Sequence, residues 1–311
     1  MSAPTFETLD DVEYGRVDEV AVGIRRVIAE NPSKFTYRGT GTYVVGHGDV
    51  LVVDPGPVLD SHRDALAAAL TGERVRGILI THCHSDHSPL AAWLRAETGA
   101  PTFAFGPHGP VDDEEDEDDA EIDDGVKIEE TIDVDFVPDV AVADGETITV
   151  VPGLTVTAVH TPGHTSNHTC YALAEPSVLF TGDHVMGWST TVVSPPDGDM
   201  TDYIESLRKV AGRRDEMIIP THGSPRRDGP EYVGALVEHR LERERQVVEA
   251  VRRGLDTIPT IVADLYADVR PELHKPAGRS VLAHLVKLVG EGQVAVDGGS
   301  RPRLVSRYEP S

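Results

Sequence analysis

Residues 81–87 read Thr-His-Cys-His-Ser-Asp-His, placing three imidazoles and a carboxylate within six positions, directly after the apolar run 77–80. Neutral imidazole nitrogens and a carboxylate oxygen suit Zn²⁺ and its neighbours, and no thiolate is required. A surface turn that merely happens to be rich in His would leave the rest of the chain without matching pieces. Three such pieces exist: Thr161-Pro162-Gly163-His164-Thr165, Phe180-Thr181-Gly182-Asp183 and Pro220-Thr221-His222-Gly223. Each follows a strand-like run, and strand ends are where sheet proteins tend to hold their sites. Any one alone is a weak signal; their joint occurrence is a strong one. Cys83 lies between His82 and His84 on an extended segment, so it points to the opposite face and reads as packing.

The elements that must position these residues are legible in outline. Segments 41–45 and 49–53 flank a Gly46-His47-Gly48 turn and predict a hairpin, which Asp54-Pro55-Gly56 ends. A helix is expected over 61–70, then the strand ending at Ile80, then a helix opening near Ser88-Pro89, since Pro suits a first helical turn. Strands are expected at 147–151, 154–159, 169–173, 178–180 and 217–219, with a helix over 201–211. The composition shifts near Gly229. From there to about Arg253 runs a charged amphipathic helix, followed by a short helix from Thr257, a third over 276–289, and a hairpin of 293–296 with 303–306. That order is a winged helix, which puts a second domain at 231–311 after a first at 1–230. The fold class is α/β or α+β.

With 311 residues and 39% apolar content the chain can bury a sizeable core. No run approaches a membrane span and no secretory signal opens the chain, so a cytoplasmic protein without a membrane partner is the expectation. The net charge is −25. Between Asp112 and Asp135 stand fifteen Asp/Glu against the single Lys127, a net of −14, and about 110–135 reads as a solvated acidic insertion. An acidic surface repels polyanions, which argues against RNA or DNA as the main substrate while leaving a local basic groove open. Residues 231–311 carry twelve acids and twelve bases, so the winged helix lacks a nucleic-acid reader's basic footprint. Covering the site mouth, or forming a homodimer, is the expected role.

His82-Cys83-His84-Ser85-Asp86-His87, Gly163-His164-Thr165, Gly182-Asp183 and Thr221-His222-Gly223 together resemble the metallo-β-lactamase superfamily, in its glyoxalase II and β-lactamase-like-protein-2 branch. The resemblance covers about 15–225, and the terminal segment is similar to the winged-helix appendage of the second-named branch. It implies an αββα sandwich with metals at one edge. It also implies that His82, His84 and His164 hold one cation, that Asp86, His87 and His222 hold a second, and that Asp183 bridges them. Asp54, with Gly56, fits the early acidic motif whose carboxylate supports a ligand His. Two Zn²⁺ per chain are implied, and an N/O site of this kind also takes iron or manganese. A water held between two cations becomes hydroxide near neutral pH, and Asp86 is the catalytic residue expected to orient it.

The leading functional expectation is a dinuclear metal hydrolase acting on a small ester, thioester or lactone-like molecule. The same nucleophile attacks phosphorus, so a metal-dependent endoribonuclease or phosphodiesterase is the alternative, with an iron persulfide-dioxygenase-like enzyme and a DNA-binding regulator behind it. The loop 186–200 is expected to shape the substrate wall, with Trp188 and Tyr203 as candidate contacts and His184 beside Asp183 as a third. Thr42 and Tyr43 are candidate rim residues. His168, four residues beyond His164, is a candidate to contact substrate or donate to a supporting carboxylate, and reads at least as well as a core or loop histidine.

Overall fold

A computed structural model of the chain describes residues 4–109, 131–270, 273–299 and 301–311. The acidic insertion expected at 110–135 lies almost entirely outside the described residues. Seven strands form one sheet in sequence order: β1 (Val17–Ala21), β2 (Ile24–Ile28), β3 (Gly41–His47), β4 (Asp49–Val53), β5 (Arg74–Leu79), β6 (Thr102–Ala104) and β7 (Val140–Ala141). The first four pair antiparallel, and β4 to β7 pair parallel. The second sheet has the order β12-β11-β10-β9-β8, from β8 (Thr147–Val151), β9 (Leu154–His160), β10 (Thr169–Leu173), β11 (Val178–Gly182) and β12 (Met217–Pro220).

Alternation along the strands sorts apolar side chains into layers. In β4, Leu51 and Val53 face the second sheet, where Val156, Ala158, Tyr171, Phe180 and Ile219 meet them in one buried core. Val50 and Val52 face the other way, onto Leu66 of helix α1 (Asp60–Ala69) and Leu94 of helix α2 (Ala91–Thr98). On the far side of the second sheet, Cys170, Leu179 and Ile218 pack against Ile204 and Leu207 of helix α3 (Met200–Ala211) and Val233 and Leu236 of helix α4 (Gly229–Arg252). Helix, sheet, sheet, helix is the expected αββα sandwich. Helix α2 starts at Ala91, later than the Ser88-Pro89 expectation, because His84 to Ser88 form the tight turn that carries the motif.

A separate core lies at the C-terminal end. Val247, Ala250 and Val251 from the last turns of α4 meet Ile261 of helix α5 (Ile258–Leu265) and Val281, Leu285 and Leu288 of helix α6 (His274–Gly290). A two-stranded ribbon, β13 (Val294–Val296) with β14 (Tyr308–Pro310), completes the winged helix. The second strand of that ribbon is 308–310 and not 303–306. Arg303 and Ser306 close a turn instead, and buried Tyr308 anchors the strand in the core. Helix α4 therefore belongs to two cores at once.

Candidate metal centre

Strand direction explains why four dispersed motifs meet. Strands β4 and β5 run parallel. In the other sheet β9 and β11 both run antiparallel to β10, and β12 runs parallel to β11. The C-terminal ends of β4, β5, β9, β11 and β12 consequently share one edge of the sandwich, delivering Asp54, the 82–87 segment, His164, Asp183 and His222. The chain makes room where backbones approach closely. Gly163 has φ +129°, and a Cβ there would lie 2.3 Å from the Tyr203 Cα. At Gly182 a Cβ would lie 2.6 Å from His168 Nε2.

All seven predicted ligands are brought together, and all are buried or nearly so. Their ligating atoms form three overlapping groups, each within 4.8 Å: His82, His84 and His164; His82, His87 and Asp183; Asp86, His87 and His222. His82 Nε2 lies 2.9 Å and His164 Nε2 3.1 Å from His84 Nδ1. Those spacings are close to the ~3.3 Å expected between two nitrogens bound tetrahedrally to one zinc. Asp183 faces both groups: Oδ1 is 3.4 Å from His222 Nε2 and 3.6 Å from His87 Nε2, while Oδ2 is 3.9 Å from His164 Nε2. Asp86 Oδ2 sits 3.2 Å from His222 Nε2 and 3.4 Å from His87 Nε2.

For four of the five imidazoles the outward nitrogen has a partner, which turns the inward lone pair toward the centre. His164 Nδ1 donates to the Val192 carbonyl at 2.7 Å, and His222 Nδ1 to the Gly39 carbonyl at 3.1 Å. His87 Nδ1 donates to Asp54 Oδ2 at 2.9 Å, and His82 Nδ1 lies 3.1 Å from the Thr81 hydroxyl. Asp54 also accepts from the Thr81 N–H and Thr81 hydroxyl, both at 2.8 Å. It adopts φ +48°, which a short polar side chain tolerates.

Electrostatics divides the cluster. Burial holds His82 well below its ordinary range and His84 down to about 3, with His164 lowered for the same reason. For His87 and His222 burial opposes the charge but is outweighed: Asp86, Asp183 and Asp54 hold His87 well above its usual value, and Asp183 and Asp86 push His222 up to about 10. Asp86 and Asp183 stay far below the usual carboxylate range, burial being overcome chiefly by His87 and His222. Three inward atoms, Asp86 Oδ1, His87 Nε2 and Asp183 Oδ1, have no hydrogen-bond partner among the described residues. Buried polar atoms left over in this way, beside ionised carboxylates and the neutral imidazoles of His82, His84 and His164, are what a divalent cation would satisfy once it displaces the protons of His87 and His222. The donor set fits the metal.

An open pocket lies over the cluster, walled by Phe35, Met186, Trp188 and Val192, with Lys34, Ser189 and Thr190 among its polar lining. Trp188 lines it as expected, stacked on Tyr37 with ring centroids 4.6 Å apart. Tyr203 and His184 do not line it. Both are buried behind Asp183, where the Tyr203 hydroxyl donates to the His184 carbonyl at 3.0 Å. Thr42 and Tyr43 are likewise interior, the Tyr43 hydroxyl bonding the Pro220 carbonyl, so the rim comes from Lys34 and Phe35. One supporting residue escaped the sequence reading, and His168, left open there between a supporting and a core role, proves to be a second support. Thr40 donates to Asp86 Oδ2 at 2.8 Å. His168 Nε2 accepts from the backbone N–H groups of Asp183 and His184, at 3.2 and 3.3 Å.

Residues 37–222, which include the whole seven-residue cluster, match the Metallo-beta-lactamase superfamily. The chain belongs to the metallo-beta-lactamase superfamily. Residues 257–301 match the Beta-lactamase associated winged helix domain. An atrochrysone carboxyl ACP thioesterase of Aspergillus chevalieri is 30% identical over 293 residues, covering 90% of this chain and 85% of that protein. The Beta-lactamase-like protein 2 homolog of Caenorhabditis elegans is 30% identical over 287 residues, covering 89% of this chain and 88% of that one. Among solved structures, a beta-lactamase domain protein from Burkholderia ambifaria superposes with a TM-score of 0.76 at 22% identity, covering 97% of this chain and 96% of that one. The chain is a metal-dependent hydrolase of this superfamily. No helix among the described residues is long and apolar enough to cross a membrane.

Proposed function

We propose that the protein is a dinuclear metal-dependent hydrolase of small acyl thioesters. We assign its metal hydrolase domain to 1–230, with the acidic insertion at about 110–135, and its winged helix to 231–311. The observation that carries the reading is the convergence of seven ligand-type side chains in overlapping groups, with Asp183 facing both His164 and His222. The choice of thioester over other esters is supported by the 30% identity with a carboxyl ACP thioesterase along 90% of this chain. His82, His84 and His164 would hold one cation, Asp86, His87 and His222 the other. Zinc suits this set best, and iron or manganese can occupy it. Divalent metal, when bound, supplies a nucleophile from water near neutral pH and polarises the acyl oxygen. The chain's own groups do the rest. Asp86, ionised and fixed by the Thr40 hydroxyl, accepts a hydrogen bond from the attacking water and aims it. Phe35, Met186, Trp188 and Val192 give the acyl chain an apolar wall.

The test is a substrate panel on protein of measured metal content, with acyl thioesters, lactones and a labelled RNA oligomer side by side. Thioester turnover should vanish on chelation, return with zinc, and be abolished in His84→Ala. Turnover unchanged in that variant ends the proposal. RNA cleavage lost in Asp86→Ala, with thioesters untouched, would replace it with a ribonuclease.

A further inference from the structure

The loop 186–192 closes the cavity, and helix α4 holds it from behind. Arg240, only 4% exposed, donates from its guanidinium to the Thr191 carbonyl and lies 5.2 Å over the Tyr203 ring. Two turns earlier on the same helix, the Tyr232 hydroxyl donates to the Met186 carbonyl at 2.6 Å. Thr191 is the junction. Its hydroxyl donates to the Asp183 carbonyl at 2.7 Å, with the His184 carbonyl at 3.1 Å. The carbonyl of the next residue, Val192, is the one that accepts from His164 Nδ1. One backbone peptide thus separates the guanidinium of Arg240 from the groups that orient His164 and Asp183.

We infer that Arg240 is a positioning residue of the metal centre: by fixing Thr191 it sets the orientation of His164 and Asp183. The helix that leads into the winged helix is thereby part of the site. The inference rests on the proposed metal centre. Packing alone does not account for an arginine here, because a Met of similar length would fill the space without burying a charge. What the guanidinium adds is a charge-assisted hydrogen bond, stronger and straighter than a neutral one, to a carbonyl that has to stay in place. Outer partners of this kind are worth about 10–100-fold in metal affinity or activity.

The measurement is zinc affinity by competition with a chromogenic chelator, alongside thermal unfolding of the metal-free protein. Arg240→Met should weaken zinc binding by about tenfold or more. Arg240→Lys, which keeps a cation and a donor, should recover most of it. Tyr232→Phe frees a carbonyl of the cavity wall and no ligand, so it should raise KM with zinc affinity unchanged. If Arg240→Met does not fold, Thr191→Val, which deletes the hydroxyl on the Asp183 carbonyl, carries the same prediction. Variants that unfold at lower temperature yet bind zinc as the parent does would make Arg240 merely structural and overturn the inference. A parent chain that takes up no zinc would overturn the metal centre and this inference together.

Discussion

Asp54 lines no part of the pocket, yet two imidazoles of the cluster depend on it. It fixes His87 directly, and it fixes Thr81, whose hydroxyl in turn meets His82 Nδ1. Asp54→Ala would leave the Thr81 N–H without its acceptor and let two imidazoles turn. Metal affinity should fall about 10–100-fold, the range for lost outer-shell partners. Isothermal titration with zinc reads this directly, and an affinity within twofold of the parent would show that the two imidazoles are held by packing. Asp54 was legible through the resemblance, whose early acidic motif it fits together with Gly56. Thr40 was not, for a physical reason. Its role consists of a single hydrogen bond to a residue 46 positions away, and such a pairing is written in the fold rather than in any local spacing.

At the scale of elements, the strand ends are held by contacts that leave no room. A Cβ at Gly163 would meet the backbone of Tyr203 in the first turns of α3. Gly163→Ala should therefore separate the loop of His164 from α3 and cost about 3 kcal/mol or more in denaturant unfolding. A loss below about 1 kcal/mol would mean the loop relaxes freely. Helix α1 is fastened to the turn after β4 by His62, whose Nε2 lies 3.0 Å from the Pro55 carbonyl. Burial pushes this imidazole down to about 4. In the unfolded chain it titrates near 6.5, so its contribution is complete above that pH and is lost as pH falls from 6.5 toward 4. Between pH 7 and pH 5, His62→Gln should lose about 2 kcal/mol less stability than the parent. Equal losses would show that His62 is charged in the folded protein. The five strands of the second sheet and β3, β4 and β5 of the first were readable from their apolar runs, whereas β1, β2, β6 and β7 were not named. The last strand was displaced because 303–306 has strand-like residues, whereas its position is decided by where the Tyr308 ring finds a core.

At the scale of the molecule, charge is distributed unevenly. Of the net −25, −14 belongs to 112–135 and none to 231–311. Two effects of salt then compete. Exposed pairs such as Arg245 with Glu242 and Arg253 with Asp264 weaken on screening, but each is worth only about 0–1 kcal/mol. Self-repulsion of a strongly acidic chain disfavours the compact state, and salt relieves it once the screening length shrinks to ~10 Å near 0.1 M. With so large an imbalance the second effect should win. Raising NaCl from about 10 to about 500 mM should raise the Tm by several degrees. Replacing the acids at 112–119 with Ser and Asn should raise the low-salt Tm and flatten the salt dependence. Using NaCl and KCl in parallel, and avoiding sulfate, separates screening from preferential exclusion. A Tm that falls with added salt would mean that the surface pairs outweigh the charge of the whole.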